Sequence, residues 1–374
     1  MIVAGEASAD LHGSNLVRAI KRSDPGIIFW GIGGKRMERA GVRILVPSSE
    51  MAVVGVTEAL VRLRTIAKAR RKLKSVLKNQ SPDLLILLDY PEFNLNLAKM
   101  ANRFRVPVLY YISPQVWAWR RGRVKKIARR VDRMAVILPF EESFYRERGM
   151  KVDYVGHPLM DAFKVVSSEP ILWSINNRKP PLRNPVIGLL PGSRREEIQN
   201  LLPAMVKSAE ILMRRYGGIR CLLPLAETID IEFVKSFIDK SLVEIEIVQG
   251  DIYKVLSLCH AAMVTSGTAT LETAIMGVPM VIVYKVSLIS SWVAKMVIKV
   301  PYIGLVNLVA GEKVVPELHQ HEVLPDRLAN EVLNILEDDE VRENMIKNLM
   351  GVKESLGGGG ASQRTAELAL GMMR

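Results

Sequence analysis

Leu84-Leu-Ile-Leu-Leu88 is apolar at five consecutive positions and runs straight into Asp89. A run so short and so uniformly apolar needs cover on both faces, which is the setting of a central strand in a helix-flanked parallel sheet. Similar β-rich runs recur at residues 1–4, 27–32, 106–112, 134–138 and 152–155, and again at 186–190, 219–224, 245–248, 262–265 and 279–284. Segments of helical period separate them, so the chain reads as βα units in an α/β protein.

The two series are divided by residues 165–185, where Ser167-Ser168-Glu169-Pro170, Asn176-Asn177 and Pro180-Pro181 mark a loop-rich linker. With 374 residues there is room for two doubly wound, Rossmann-like domains, 1–165 and 166–350. Helical patterns fill 325–349. Four glycines at 357–360 then make a joint before a last helix from Ser362, so 351–374 forms a tail that packs back on the amino-terminal domain or on a partner subunit.

Two cysteines, Cys221 and Cys259, exclude a disulfide scaffold and a CxxC zinc site, and fit a reducing compartment. The first residues carry no basic stretch followed by a long apolar one, so no secretory signal is read there. The most apolar segment, residues 278–300, is interrupted by Lys285, Lys295 and Lys299 and is not expected to span a bilayer. The net charge of +13 is concentrated. Residues 62–78 hold eight cations and no acid, and residues 120–133 hold eight against Asp132 alone. The amino-terminal half must therefore face something anionic: nucleic acid, anionic lipid or a phosphorylated substrate.

In open α/β sheets, ligands sit at the carboxyl ends of strands. Leu189-Leu-Pro-Gly-Ser-Arg-Arg-Glu-Glu197 is such a turn: Gly192 permits tight backbone passage, and Ser193 with Glu196 has capping-box spacing. Free N–H groups beside Arg194 and Arg195 would suit a diphosphate; the alternative is a capped helix with two solvated arginines. Val264-Thr-Ser-Gly-Thr-Ala-Thr-Leu-Glu272 is the second turn, with Ser266, Gly267 and Thr268 suited to phosphate and Glu272 placed to accept ribose hydroxyls or to pair with a lysine. In the first half Asp89 ends a buried strand, where desolvation can tune it as a general base, or else it caps the next turn ahead of Pro91. Glu92 is the competing carboxylate and looks more exposed. The loop Gly5-Glu-Ala-Ser-Ala-Asp10-Leu-His12-Gly13 offers Glu6, Ser8 and Asp10 to a ligand, or caps a helix through Ser8 or Asp10.

Other patterns carry less. Trp30-Gly-Ile-Gly-Gly34 is half a dinucleotide fingerprint with Arg36 where a third glycine belongs, and His319-Gln-His321 lacks a third metal ligand near by. HExxH, GxSxG and P-loop motifs are absent. Trp117-Ala-Trp119 beside Arg120-Arg121 is an aromatic-basic cluster for which a core role of one tryptophan is the simplest account.

Together, Gly5-Glu-Ala-Ser-Ala-Asp10, Asp89-Tyr-Pro-Glu-Phe-Asn94, Ile112-Ser-Pro-Gln-Val-Trp-Ala-Trp119, Leu138-Pro-Phe-Glu141, Val155-Gly-His-Pro158, Leu190-Pro-Gly-Ser-Arg194, Ser266-Gly-Thr-Ala269 and Asn307-Leu-Val-Ala-Gly311 follow the order and spacing of lipid-A-disaccharide synthases, which the chain resembles along its whole length. One departure is Ala9, where that family more often has glycine. The resemblance implies a metal-independent, cofactor-free inverting glycosyltransferase of the B-type fold, two Rossmann-like domains facing a cleft. It implies transfer from UDP-2,3-diacylglucosamine to 2,3-diacylglucosamine 1-phosphate, giving the β-1′,6-linked disaccharide 1-phosphate of lipid A and UDP. Asp89 then matches the general base, Gly192, Ser193, Arg194, Ser266, Gly267, Thr268, Glu272 and Asn307 line the donor site, and Glu6, Ser8, Asp10, Ser113 and Gln115 face the acceptor or cleft. Such an enzyme would work in the cytoplasm on the anionic surface of the inner membrane, with a homodimer as its assembly and no nucleic-acid partner. Residues 51–78 interleave Val54, Val56, Leu60, Val61, Leu63, Ile66, Leu73, Val76 and Leu77 with the cations, the pattern of an interfacial helix or of a helix packed on the sheet. Rival readings are a UDP-N-acetylglucosamine 2-epimerase, the glucosaminyltransferase of peptidoglycan assembly, or a basic nucleic-acid-binding protein.

Overall fold

A computed structural model describes residues 1–51, 59–119, 121–166, 184–286 and 300–373. The chain divides into two units: Met1–Asp161 with Leu356–Arg374, and Ala162–Ser355. The sequence boundaries at 165 and 350 fall within a few residues of these crossings, and most of the linker, 167–183, lies outside the described residues.

The first unit holds seven strands: β1 (Ile2–Ala4), β2 (Phe29–Gly33), β3 (Val42–Pro47), β4 (Leu85–Leu88), β5 (Val108–Tyr111), β6 (Arg133–Val136) and β7 (Val152–Tyr154). Their order is β3-β2-β1-β4-β5-β6-β7 and every pairing is parallel. The order reverses between β1 and β4, which puts the loops after Ala4 and Leu88 side by side. Both faces are covered, as the Leu84–Leu88 run requires. Met1, Val3, Leu85, Leu87, Val108, Tyr110, Met134 and Val136 point to one core, and Ile2, Ala4, Ile86, Leu88, Leu109, Tyr111 and Ala135 to the other, the period-2 alternation of strands.

The first core is roofed by the helices Ala59–Asn79 and Pro91–Arg103, the second by Ala7–Ser23 and the terminal helix Ala361–Met373, which returns to this unit. Gly31 sits where β1 and β2 touch: a Cβ there would lie 1.6 Å from the Ile2 carbonyl oxygen. The half-fingerprint Trp30–Gly34 is therefore explained by strand packing.

Helix Ala59–Asn79 decides between the two readings of the basic stretch. Ala69, Leu73 and Leu77 are within 1% of full burial, and Ile66 and Val76 pack against the same core. The apolar stripe, in its described part, belongs to the fold and not to a lipid surface. Lys68, Arg70, Arg71, Lys72, Lys74 and Lys78 occupy the exposed face. Val54 and Val56 lie outside the described residues, as do the side chains of Leu60, Val61 and Leu63.

The second unit repeats the plan with β8 (Val186–Leu190), β9 (Arg220–Leu225), β10 (Ile245–Gln249), β11 (Ala261–Thr265), β12 (Met280–Tyr284) and β13 (Glu317–His319), in the order β10-β9-β8-β11-β12-β13, all parallel. The reversal falls between β8 and β11, so the Gly192 and Gly267 turns are neighbours. The helical stretch after Leu324 is two helices, Pro325–Glu337 and Asp339–Ser355. Among the described residues no helix is long and apolar enough to cross a membrane; residues 287–299 of the most apolar segment lie outside them.

Candidate functional site

In the first unit the site is built on two successive residues in left-handed backbone. Asp89 and Tyr90, immediately after β4, have φ of 46° and 45°. Non-glycine residues there cost on the order of 1–3 kcal/mol each, so the surroundings must hold them. Asn94 donates through Nδ2 to the carbonyls of Leu88 (3.0 Å) and Asp89 (2.6 Å), and Tyr110 donates through its hydroxyl to the same Asp89 carbonyl (2.5 Å). Gly5, after β1, lies under the Tyr90 ring, where a Cβ would come within 2.8 Å of ring carbons. Burial raises the Asp89 carboxyl above its usual range, the nearby Glu6 carboxylate adds to the rise, and the Tyr90 N–H offsets part of it. Glu92 is exposed and paired with Arg123.

Glu6, Ser8 and Gln115 are exposed at this edge, as a ligand-facing role requires. Asp10 is not available. Its carboxylate accepts from the N–H groups of Gly34 (2.7 Å), Arg36 (3.1 Å) and Met37 (3.1 Å) and so caps the neighbouring helix Lys35–Arg39. Ser113 also faces inward: its hydroxyl donates to Glu141 Oε1 at 2.5 Å, and Trp117 Nε1 donates to the same oxygen at 2.9 Å. Glu141 is 1% exposed, and its second oxygen accepts from the N–H groups of Ile137 and Leu138. Burial raises its carboxyl despite these donors. Trp117 is thus a core residue, edge-on to Phe140 at 4.9 Å.

In the second unit the turn after β8 starts its helix one residue later than the capping-box spacing predicts. Arg194 is the N-cap and Glu197, not Glu196, closes the box. Glu197 Oε2 accepts from the N–H groups of Ser193 (3.0 Å) and Arg194 (3.2 Å), and Oε1 meets the Arg194 guanidinium at 3.1 Å. Two of the N–H groups expected to be free at this turn, those of Ser193 and Arg194, are occupied by the Glu197 carboxylate. Gly192, at φ 116°, is required because a Cβ would lie 2.2 Å from that carboxylate. Arg194 remains 77% exposed, while Arg195 stacks over the Phe233 ring at 4.0 Å.

After β11, Gly267 at φ 148° leads into the helix Thr268–Ile275; the Thr270 N–H bonds back to the Gly267 carbonyl at 3.1 Å, and the N–H groups of Thr268 and Ala269 precede any intrahelical acceptor. Thr268 is exposed. Ser266, expected to donate to phosphate, instead donates to the Ile303 carbonyl at 2.9 Å. Asn307 does not line an open surface either. It is fully buried, donates to the Val315 carbonyl and Glu317 Oε1 (3.0 and 2.8 Å), and accepts from the N–H groups of Val314 and Val315. All four of its hydrogen-bonding positions are spent.

Glu317, which no sequence pattern pointed to, also accepts from the N–H groups of Ile303 and Gly304, both at 3.0 Å, and pairs with His319 at 3.3 Å. Burial alone would raise its carboxyl, but these donors outweigh it and hold it below the usual range. His319 engages Glu317 through Nε2, and among the described residues no three His, Cys, Asp or Glu side chains converge as metal ligands. Glu272 differs: burial pushes its carboxyl up to about 7, and among the described residues no donor reaches it.

A family profile for lipid-A-disaccharide synthetase matches residues 1–368. The chain is 50% identical over 373 residues to the lipid-A-disaccharide synthase of Geobacter metallireducens, covering 100% of this chain and 97% of that one. Its fold is similar to UDP-GlcNAc 2-epimerase from Neisseria meningitidis bound to UDP-GlcNAc (TM-score 0.64, 11% identity, 97% of each chain). It is also similar to Acinetobacter baumannii MurG (TM-score 0.59, 12% identity, 96% of each chain). Two parallel α/β sheets of this topology are the B-type glycosyltransferase architecture, and with its full-length match the chain belongs to the lipid-A-disaccharide synthase family, the glycosyltransferases that form the lipid A disaccharide.

Proposed function

We propose that the second unit binds UDP-2,3-diacylglucosamine and the first binds 2,3-diacylglucosamine 1-phosphate, with Asp89 as the base and no metal or cofactor required. In a single displacement the acceptor's 6-hydroxyl oxygen attacks the donor's anomeric carbon as the bond to UDP breaks. The hydroxyl proton passes to the Asp89 carboxylate, UDP leaves with the bonding pair, and the configuration inverts. A base of this kind contributes roughly 10²- to 10⁴-fold. Charge developing on UDP would be met by Arg194 and by the helix start at Thr268. Because Glu197 occupies the Ser193 and Arg194 amides, the Thr268 turn is the better diphosphate cradle, and Arg194 would meet the phosphates through its side chain.

The observation that carries this reading is the Asp89 carboxyl, raised by burial and fixed on a strained turn at the strand end. Substrates bearing acyl chains also give a purpose to the cationic face of helix Ala59–Asn79, which would meet anionic lipid by charge and not by its apolar stripe. Mass spectrometry of products after mixing the protein with both substrates tests the assignment. The disaccharide 1-phosphate and UDP are expected in equal amounts, and free diacylglucosamine with UDP would indicate hydrolysis instead.

A further inference from the structure

Helix Ile252–Leu258 leaves the sheet after β10, with Asp251 as its N-cap accepting from the Lys254 N–H at 2.9 Å. Tyr253 lies in its first turn. The Tyr253 hydroxyl is buried and has no hydrogen-bond partner among the described residues. A buried hydroxyl without a partner is uncommon in a folded protein, because desolvation then goes uncompensated. The charged group it senses is Glu272, whose carboxylate adds to burial in raising the phenol. Glu272, in the second turn of Thr268–Ile275, is itself an acceptor that no donor reaches among the described residues.

A donor without an acceptor and an acceptor without a donor thus share one field without bonding to each other. What satisfies both is a third group that both gives and takes hydrogen bonds. A vicinal diol does so: its two hydroxyls can donate to one carboxylate while an oxygen of the diol accepts from a phenol.

We propose that Tyr253 is a specificity-determining residue of the nucleotide site, donating its hydroxyl proton to the ribose diol that Glu272 accepts from, and so selecting ribonucleotides over deoxyribonucleotides. A site whose buried polar groups are completed by a substrate hydroxyl rejects the analogue lacking it, because those groups are then left unpaired. The inference rests on the reading of the second unit as the UDP-sugar site.

Calorimetry on the full chain with UDP, 2′-deoxy-UDP and 3′-deoxy-UDP tests it, comparing wild type with Tyr253→Phe. The variant should bind UDP about three- to tenfold more weakly, the range of one neutral hydrogen bond. Its preference for UDP over at least one deoxy analogue should shrink by a similar factor, while its melting temperature stays within a few degrees of wild type. Unchanged UDP affinity, or equal losses for all three ligands, would overturn the role of Tyr253 while leaving the donor site in place. A wild-type protein that binds none of the three would overturn the UDP-sugar reading itself.

Discussion

Tyr110 donates its phenolic proton to the backbone carbonyl of Asp89 across 2.5 Å, so the residue that follows β4 is held by a side chain from the adjacent β5. The bond goes to the backbone of the proposed base, leaving its carboxylate free of that donor. Burial raises the Tyr110 phenol far above its usual range, so it remains a proton donor at any working pH. With Asn94, it fixes two left-handed residues that a relaxed chain would avoid.

Asp89→Asn should therefore abolish transfer with little effect on folding. The amide keeps the shape and the backbone contacts but cannot take the acceptor's proton. Turnover should fall by roughly 10²- to 10⁴-fold, and UDP affinity by less than about twofold. Turnover above about half of wild type would mean that Asp89 only caps the turn, and Glu6 would become the candidate base.

Tyr110→Phe removes one of the two side-chain donors to the Asp89 carbonyl and leaves Asn94 in place. A loss of about 1 kcal/mol in stability is expected, the scale of one internal hydrogen bond. If the bond positions the base, kcat should drop several-fold while UDP affinity stays constant. A melting-temperature shift with unchanged kcat would assign Tyr110 to stability alone.

Much of the fold is legible in sequence because central strands are written as runs apolar on both faces. The strand Val42–Pro47 escapes that rule. It lies at the sheet edge, mixes buried Val42 and Val46 with exposed Arg43, and ends in proline, so it lacks a run that is apolar throughout. Glu317–His319 is shorter still, and it is defined by its pairing with β12 and by bonds that converge on Glu317. For the site, sequence shows residue type and place but not direction. Asp89 is readable because a carboxylate that closes a fully apolar strand must turn out of the core at the edge where ligands bind. Asp10, Ser113, Ser266 and Asn307 are polar and near the right turns, yet each spends its hydrogen bonds inside its own unit. Only the paths of Gly34, Glu141, Ile303 and Glu317 reveal this, and those lie 10 to 37 residues away in the chain.

Glu272 gives a pH dependence with a defined sign. Its carboxyl stands at about 7 in the folded chain against 4.5 for an ordinary glutamate, so the native state binds the proton more tightly. That contribution to stability is complete below about pH 4.5 and is lost as the pH rises through 7. Glu272→Gln should remove the loss, so its stability relative to wild type should rise between pH 5 and pH 8 by on the order of 1–3 kcal/mol, read from denaturant unfolding at each pH. Ribose hydroxyls need the ionised form as their acceptor, so UDP should bind wild type more tightly at pH 8 than at pH 6 and release a proton in the acid range. A pH-independent stability difference between the two proteins would place the Glu272 titration elsewhere.

The cationic face of helix Ala59–Asn79 makes the last prediction. Arg70, Arg71 and Lys74 are exposed, and no ion pair holds them among the described residues, whereas Leu73 and Leu77 on the same helix are fully buried. Charge and core are therefore separable on this helix. Each cation near an anionic bilayer contributes about 1 kcal/mol, screened by salt. Vesicle sedimentation should show binding to anionic liposomes that weakens as salt rises and is absent from neutral ones. The combined variant Arg70→Glu, Arg71→Glu, Lys74→Glu should lose most of that binding with its circular dichroism unchanged. Leu73→Asp should instead unfold the first unit, since it places a carboxylate in the sheet's core. Equal liposome binding by the triple variant would move the membrane-facing surface off this helix. Retained folding of Leu73→Asp would show that the apolar stripe is available to lipid after all.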